Sequence, residues 1–468
     1  MTEQICFLDA MEIAEKIRSK SLSPVEVLNA HLERIEKLNP KINALVTMSK
    51  QATKMALKAE KALMEGDLWG PLHGVPFTIK DCIDTAGIRT TRGSKLFESF
   101  IPDTDASVVD RLKNAGGILI GKTNMPEFAM WWESDNDIFG CTNNPWDLSV
   151  TPGGSSGGEA AAISSGMSPL GIGSDLGGSI RQPANYCNIF GIKATHGRVP
   201  LTGHWPETLL KAMHVGPMAR SVRDIALALD IISGPDNIDH YAISFPPIQL
   251  LDEKDKLSQI RVGWSKEVGF SPVDLEVQKV IQDAAKALQS LGCNVEEAPL
   301  DFLEENDPQE ITLAVYTAEG REYFNQVIQE RQEQLHSNMQ KRLGISMPSF
   351  NQYLQAVEGW EIIRLKTAEF FKRYDVLLCP SAPMPPYPHS QKDFLINGIK
   401  TPSRHSLRAT VPWDLTGSPA ISVPFGWTSK GLPIGVQLVA RHLDEGLLIK
   451  VASILEEIQP SARKHPLL

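Results

Sequence analysis

The stretch TPGGSSGGE, Thr151 to Glu159, followed by GSDLGGSIRQP, Gly173 to Pro183, decides how this chain is read. Both segments are dense in glycine and serine and poor in long side chains. Ser155 follows Gly154, and Ser179 follows Gly178. Glycine ahead of a serine lets backbone N–H groups point into open space. Several such groups beside a nucleophile make an oxyanion hole. A serine hydroxyl is a weak nucleophile and needs a base. A lysine desolvated against a sheet can be that base, because burial lowers its pKa. GVPFTIK, Gly74 to Lys80, reads as a short buried strand that ends in such a lysine. The plain alternative for Lys80 is a surface lysine whose stem covers apolar atoms.

Other glycine patterns compete with this reading. GGILIGKT, Gly116 to Thr123, fits the spacing of a phosphate-binding loop, but Ile118-Leu119-Ile120 fills its middle and reads as a strand. GIGSDL, Gly171 to Leu176, lacks the last glycine of a dinucleotide fingerprint. Gly153 to Gly157 fits the G-x-S-x-G elbow, which needs a strand directly before the serine. Asn144-Pro145-Trp146-Asp147 and Pro152 make a poor strand. A Ser-His-Asp enzyme using one of the eleven histidines stays open at this point.

Outward from these segments, the pattern alternates between helix and strand. Ser23-Pro24-Val25-Glu26 is a capping box with proline at the first helical position, and Asn39-Pro40 is expected to stop that helix. Residues 50–65, 107–115 and 277–291 have helical periodicity, and residues 304–373 read as mostly helical and charge-rich. Strands are expected at 117–121, 376–378, 420–423 and 434–439, and a closing helix at 445–458. This order indicates an α/β fold around a central sheet. The polar stretch Gly234 to His240 is the best candidate for a boundary.

The 468 residues are 42% hydrophobic and 22% charged, as in an ordinary globular protein. The net charge of −10, with no basic block, argues against nucleic-acid binding. Six scattered cysteines without C-x-x-C read as reduced thiols. No signal peptide and no membrane-length apolar run is visible, so the expectation is a cytoplasmic protein.

With these residues in view, the sequence resembles the amidase signature family. GVPFTIKD (74–81), GKTNMPEFA (121–129), GGSSGGEAAA (153–162), GIGSDLGGSIRQPA (171–184), GPMARSVRDIA (216–226), GSPAISVPFG (417–426) and GLPIGVQLVA (431–440) stand in the family's order. The resemblance implies a mixed central sheet flanked by helices on both faces, in a single domain over 1–468. That domain would comprise a signature core at 70–236, a variable helical region at 240–373 and C-terminal sheet segments at 374–458. It implies a Ser-cisSer-Lys triad: Ser179 as nucleophile, Ser155 as the bridging serine on a cis peptide, and Lys80 as base. The N–H groups of Leu176, Gly177, Gly178 and Ser179 would form the oxyanion hole. Ser156 is expected to make structural hydrogen bonds, Asp175 and Arg181 to hold the two loops, with a plain salt bridge elsewhere as the alternative for each, and Cys187 to lie in the core.

No metal or organic cofactor is expected. The substrate is expected to be a small, rather apolar amide, with carbamates or esters also suitable. Trp131 and Trp132 are expected to line its pocket. Thr202 to Met213 is expected to cover it through Trp205 and Leu209. A surface connection is the plain alternative for that segment. Two other readings stand beside the amidase: the glutaminase subunit of a tRNA-dependent amidotransferase, and a non-catalytic binding protein. The glutaminase's glutamine-binding stretch is not recognisable here. A binding protein would more readily have lost Lys80 or a serine.

Overall fold

The computed structural model describes residues 2–245, 248, 257–459 and 463–468. Part of the expected variable region, 249–256, lies outside the described residues. Thirteen strands are present among the described residues: β1 (Leu45–Met48), β2 (Pro76–Lys80), β3 (Ile118–Thr123), β4 (Leu170–Asp175), β5 (Phe190–Lys193), β6 (His214–Ala219) and β7 (Arg261–Trp264), then β8 (Asn294–Glu297), β9 (Val376–Pro380), β10 (Asp393–Ile396), β11 (Ile399–Pro402), β12 (Ala420–Trp427) and β13 (Pro433–Ala440). Eleven of them form one mixed sheet in the order β1-β3-β2-β4-β6-β5-β12-β13-β9-β7-β8, and β10 and β11 pair as a separate hairpin. Neighbours β3-β2-β4 run parallel, as do β9-β7-β8. The strands between these triplets pair antiparallel.

Side chains alternate across the sheet, and this alternation aims the chemistry. In β2, Phe77 and Ile79 enter the large core with Leu119 and Ile172. Thr78 and Lys80 therefore face the opposite side, where helix Gly157–Ser164 packs. Ala161 and Ala162 of that helix meet Ile118 and Ile120 in a second core. A helix buried all round is the consequence of its Gly and Ala content. It comes so close that a Cβ at Gly171 would strike the Glu159 carboxylate.

Most expected elements lie where the sequence places them, including helices Leu275–Ser290 and Glu445–Ile458. The capping box forms at Ser23 and Glu26. Pro40 does not stop its helix, which runs through Pro24–Ile42. The helix instead ends on left-handed Asn43, and the Asn39 side chain receives the N–H groups of Ala44 and Leu45 at 2.8 and 2.9 Å. Proline in a last turn loses only one ladder bond, so the termination signal lies in the asparagines. The stretch after Gly234 is pinned by Arg111, whose guanidinium donates to the carbonyls of Ile232, Ser233, Gly234 and Pro235. No described helix is long and apolar enough to cross a membrane.

Candidate active site

Lys80, at the C-terminal end of β2, has none of its surface exposed. Its Nζ lies 2.6 Å from Ser155 Oγ, 3.0 Å from Ser174 Oγ and 3.4 Å from the Ser174 carbonyl. Among the described residues, no carboxylate touches it. Burial therefore dominates, and the ammonium pKa falls to about 8, with Cys82, Asp175 and Glu159 opposing the fall from farther away. The Gly154–Ser155 peptide is cis. The two serine loops are tied together by backbone. Ser156 N–H donates to the Ser179 carbonyl at 3.1 Å, and Gly154 N–H donates to Gln182 Oε1 at 3.0 Å. Ser156 Oγ is spent on the Ser174 backbone, 3.3 Å from both its N and its O.

The loop before Ser179 is shaped by one carboxylate. Asp175 ends β4 and receives the N–H groups of Gly178 and Ile180. Gly178 has φ +125°, and a Cβ there would collide with Thr410 Oγ1. Its N–H is committed to Asp175 and differs in this from the other expected oxyanion donors. Among the described residues, the N–H groups of Leu176, Gly177 and Ser179 have no acceptor.

Arg181 is fully buried and pairs with Asp175 at 2.9 Å and Asp414 at 2.6 Å. It also donates to the Thr410 carbonyl at 3.0 Å and Gln437 Oε1 at 2.9 Å. Burial alone would raise the Asp175 pKa, but the Arg181 guanidinium outweighs it and holds the carboxyl well below its usual range. Asp414 shares the same guanidinium, and there burial wins and pushes its pKa up. The carboxylate that anchors the nucleophile loop is thus ionised, and strands β4 and β13 together set its position.

The competing motifs resolve on geometry. Lys122 of Gly116–Thr123 lies in β3 and is buried, donating to the Ile83 carbonyl and to Thr85 Oγ1. It cannot reach a phosphate. No strand enters Ser155 directly, and among the described residues no histidine hydrogen-bonds to Ser155 or Ser179. Cys187 is buried in a small core with Ile180 and Ile189.

Ser179 opens into a cavity of about 420 Å³. Leu176 and Gly177 border it on one side, and Trp131 and Trp132 on another, their rings stacked at 3.8 Å. The remaining wall comes from helices Pro308–Ile328 and Ser337–Leu343 and the segment carrying Leu407 and Val411. Trp205 and Leu209, expected over the pocket, do not line it. Trp205 is packed under the loop, against Phe128 at 4.8 Å and Phe97 at 5.3 Å, with the Arg92 guanidinium 4.9 Å from its ring. Leu209 is buried in the main core. Both are anchors, because their apolar surface is satisfied by the protein itself.

Three contributors stand outside the residues expected from sequence. Ser174 is the second hydroxyl on Lys80, and strand periodicity does not mark it, since alternation from Ile172 puts it on the face of the main core. Tyr316 donates its hydroxyl to the Leu176 carbonyl at 3.1 Å, bracing the oxyanion loop from the helical region. Arg342 lines the cavity from the same region. No local pattern marks the last two, since their meeting with Leu176 is made by the tertiary fold.

A serine loop, an amide-bearing turn and a desolvated lysine on one mixed sheet are the parts that a lysine-dependent serine hydrolase needs. The family model "Amidase" matches residues 26–449. An acylamidase of Rhodococcus erythropolis is 35% identical over 481 residues, covering 100% of this chain and 98% of that protein. One component of the glutamyl-tRNA(Gln) amidotransferase of Carboxydothermus hydrogenoformans is 36% identical over 493 residues, covering 99% of this chain and all of that protein. The structure of a bacterial aryl acylamidase of the amidase signature family superposes with a TM-score of 0.86 at 27% identity, covering 98% of this chain and 99% of the other. The chain belongs to the amidase signature family and is an amidohydrolase of that family.

Proposed function

We propose that the protein hydrolyses a small acyl amide with a largely apolar body through an acyl-enzyme on Ser179. The observation that carries this reading is the buried Lys80 Nζ, 2.6 Å from Ser155 Oγ and, among the described residues, with no carboxylate beside it. Neutral Lys80 accepts a proton from Ser155 as Ser155 accepts the proton of Ser179. The Ser179 oxygen attacks the substrate carbonyl, and the C=O electron pair moves onto oxygen. The N–H groups of Leu176, Gly177 and Ser179 receive that charge. Gly178 serves by letting the turn form. The relay then returns the proton to the leaving nitrogen as the C–N bond breaks. Water, deprotonated through the same groups, releases the acyl chain and restores the serine. Asp175 and Arg181 hold the loop without exchanging protons.

The aromatic wall at Trp131 and Trp132 favours acyl groups with an apolar body, and carbamates and aryl esters of similar shape fit the same chemistry. The acylamidase relative supports this reading. The amidotransferase relative supports a second one, a glutaminase that works with a partner. A hydrolysis panel separates them: acyl p-nitroanilides, carbamates and esters on one side, free glutamine on the other. Turnover of the chromogens with Ser179→Ala inactive supports the acylamide reading. Turnover of glutamine alone, dependent on a co-purified partner, supports the second. The scattered free thiols and acidic composition suit a cytoplasmic setting, which fractionation would test.

A further inference from the structure

Among the described residues, Lys80 Nζ meets Ser155 Oγ, Ser174 Oγ and the Ser174 carbonyl. A neutral lysine has two N–H donors and one lone pair to divide among these three. The carbonyl can only accept, so it takes one N–H. The other N–H and the lone pair fall to the two hydroxyls. If the Ser174 hydroxyl donates to Lys80, the lone pair is occupied, and Ser155 receives an N–H and cannot pass its proton on. If Ser174 accepts, the lone pair faces Ser155 and the base is ready. The direction of one O–H bond therefore decides whether Lys80 can act.

That direction is set farther along. Besides Lys80, the Ser174 hydroxyl meets only Cys82 Sγ among the described residues, at 3.6 Å. Cys82 Sγ in turn meets His204 Nε2, also at 3.6 Å. All three side chains are buried. Burial raises the Cys82 thiol pKa, and burial, aided by Lys80 and Arg92, lowers that of His204 to about 3, so both are neutral at pH 7. The charges facing this row and Lys80 are Lys122 and Arg92 of one sign and Asp81, Asp175 and Glu159 of the other. His204 Nδ1 has no partner among the described residues, so the ring's tautomer is set at Nε2, by Cys82. Charged Lys80 imposes the order of the row. An ammonium donates to all three of its partners, so Ser174 must donate away from it. Cys82 Sγ is the acceptor within reach, and the Cys82 S–H passes to His204 Nε2. When the ammonium loses its proton on the Ser155 side, the lone pair is left facing Ser155.

We infer that Cys82 and His204 are positioning residues for the base: they draw the Ser174 hydroxyl away from Lys80 and so keep its lone pair for Ser155. The inference deepens the proposed mechanism and rests on Lys80 as its base. Neither residue lines the cavity, and no proton passes along the row during turnover. Without the sulfur, the buried Ser174 O–H has only the Lys80 lone pair to turn to, in competition with Ser155. Charged Lys80 also loses a well-satisfied acceptor, which disfavours the ammonium and lowers its pKa.

The test is the pH profile of kcat/KM on an acyl p-nitroanilide, taken with the full-length enzyme. The wild-type acid limb should lie near 8. Cys82→Ala should lower the high-pH plateau about tenfold or more and move the acid limb about one pH unit lower. His204→Leu should do the same more weakly. His204→Gln, which restores an acceptor, should recover most of the plateau. Melting temperatures check the fold of each variant, and if His204→Leu does not fold, Cys82→Ala decides alone. A Cys82→Ala profile matching the wild type, or a lowered plateau with the acid limb unmoved, would overturn the inference. So would an equal loss in His204→Leu and His204→Gln. An inactive Lys80→Ala beside an unchanged Cys82→Ala would remove this inference and leave the base reading standing. Activity kept in Lys80→Ala would remove the base reading itself, and this inference with it.

Discussion

The serine-rich core at 151–183 and the helical region at 308–345 meet at one cavity, yet they are built on opposite principles. In the first, backbone conformation shapes the site. Gly178 turns at a positive φ, Gly171 admits the Glu159 carboxylate, and among the described residues the N–H groups of residues 176, 177 and 179 are left without acceptors. A side chain added at 171 or 178 collides with its neighbours. In the second, regular helix supplies walls through Thr312, Leu313, Tyr316 and Arg342, where many residues would fit the backbone equally well. The difference teaches that reaction type is written in a short stretch of sequence, whereas substrate choice is written in residues that only the tertiary fold assembles.

The comparison can be broken by substitution, beginning with the largest effect. Ser179→Ala should cost about 10⁴-fold or more in kcat and leave the melting temperature unchanged, measured with an acyl p-nitroanilide and by calorimetry. Retention of most activity would remove the core from the chemistry. Lys80→Ala should cost about 10³-fold or more, and no histidine substitution should match it. The base must be neutral. Since Lys80 is protonated below about 8, kcat/KM should fall about tenfold per pH unit on the acid side of that value. A profile flat from pH 6 to 9 would argue against Lys80 as the base.

Stability effects come next. Arg181→Leu leaves Asp175 buried without its partner and should destabilise by about 3–5 kcal/mol in urea unfolding, with activity lost as the loop relaxes. Trp205→Ala should destabilise by about 3–5 kcal/mol while preserving the ratio of kcat/KM between short and long acyl anilides. A changed ratio at normal stability would restore Trp205 as a cover. The smallest effect belongs to the wall: Leu313→Ala should shift acyl preference several-fold with stability changed by less than about 1 kcal/mol.

The fold is legible in the sequence where periodicity is local. Phe77 and Ile79 alternate with Thr78 and Lys80, and that alone indicates which face Lys80 meets. The signature segments are legible because glycine is required by close approach at 171 and by φ at 178. Trp205 misleads because its sequence neighbours, Gly203 and Pro206, look like a mobile loop, while the rings that bury it stand at 97, 128 and 324. Pro40 misleads because its position within the last turn depends on where Asn43 ends the helix. Arg342 carries no signal in one dimension, since its place on the cavity wall is made by the tertiary fold.

The central claim, that Ser179 is activated by Lys80 through Ser155, is tested most directly by a fluorophosphonate. Peptide mapping after labelling should place a single adduct per chain on Ser179. Its rate of formation should fall by orders of magnitude in Lys80→Ala and Ser155→Ala alike. An adduct on Ser155 with Ser179 bare, or labelling of Ser179 that is unchanged in Lys80→Ala, would contradict the account.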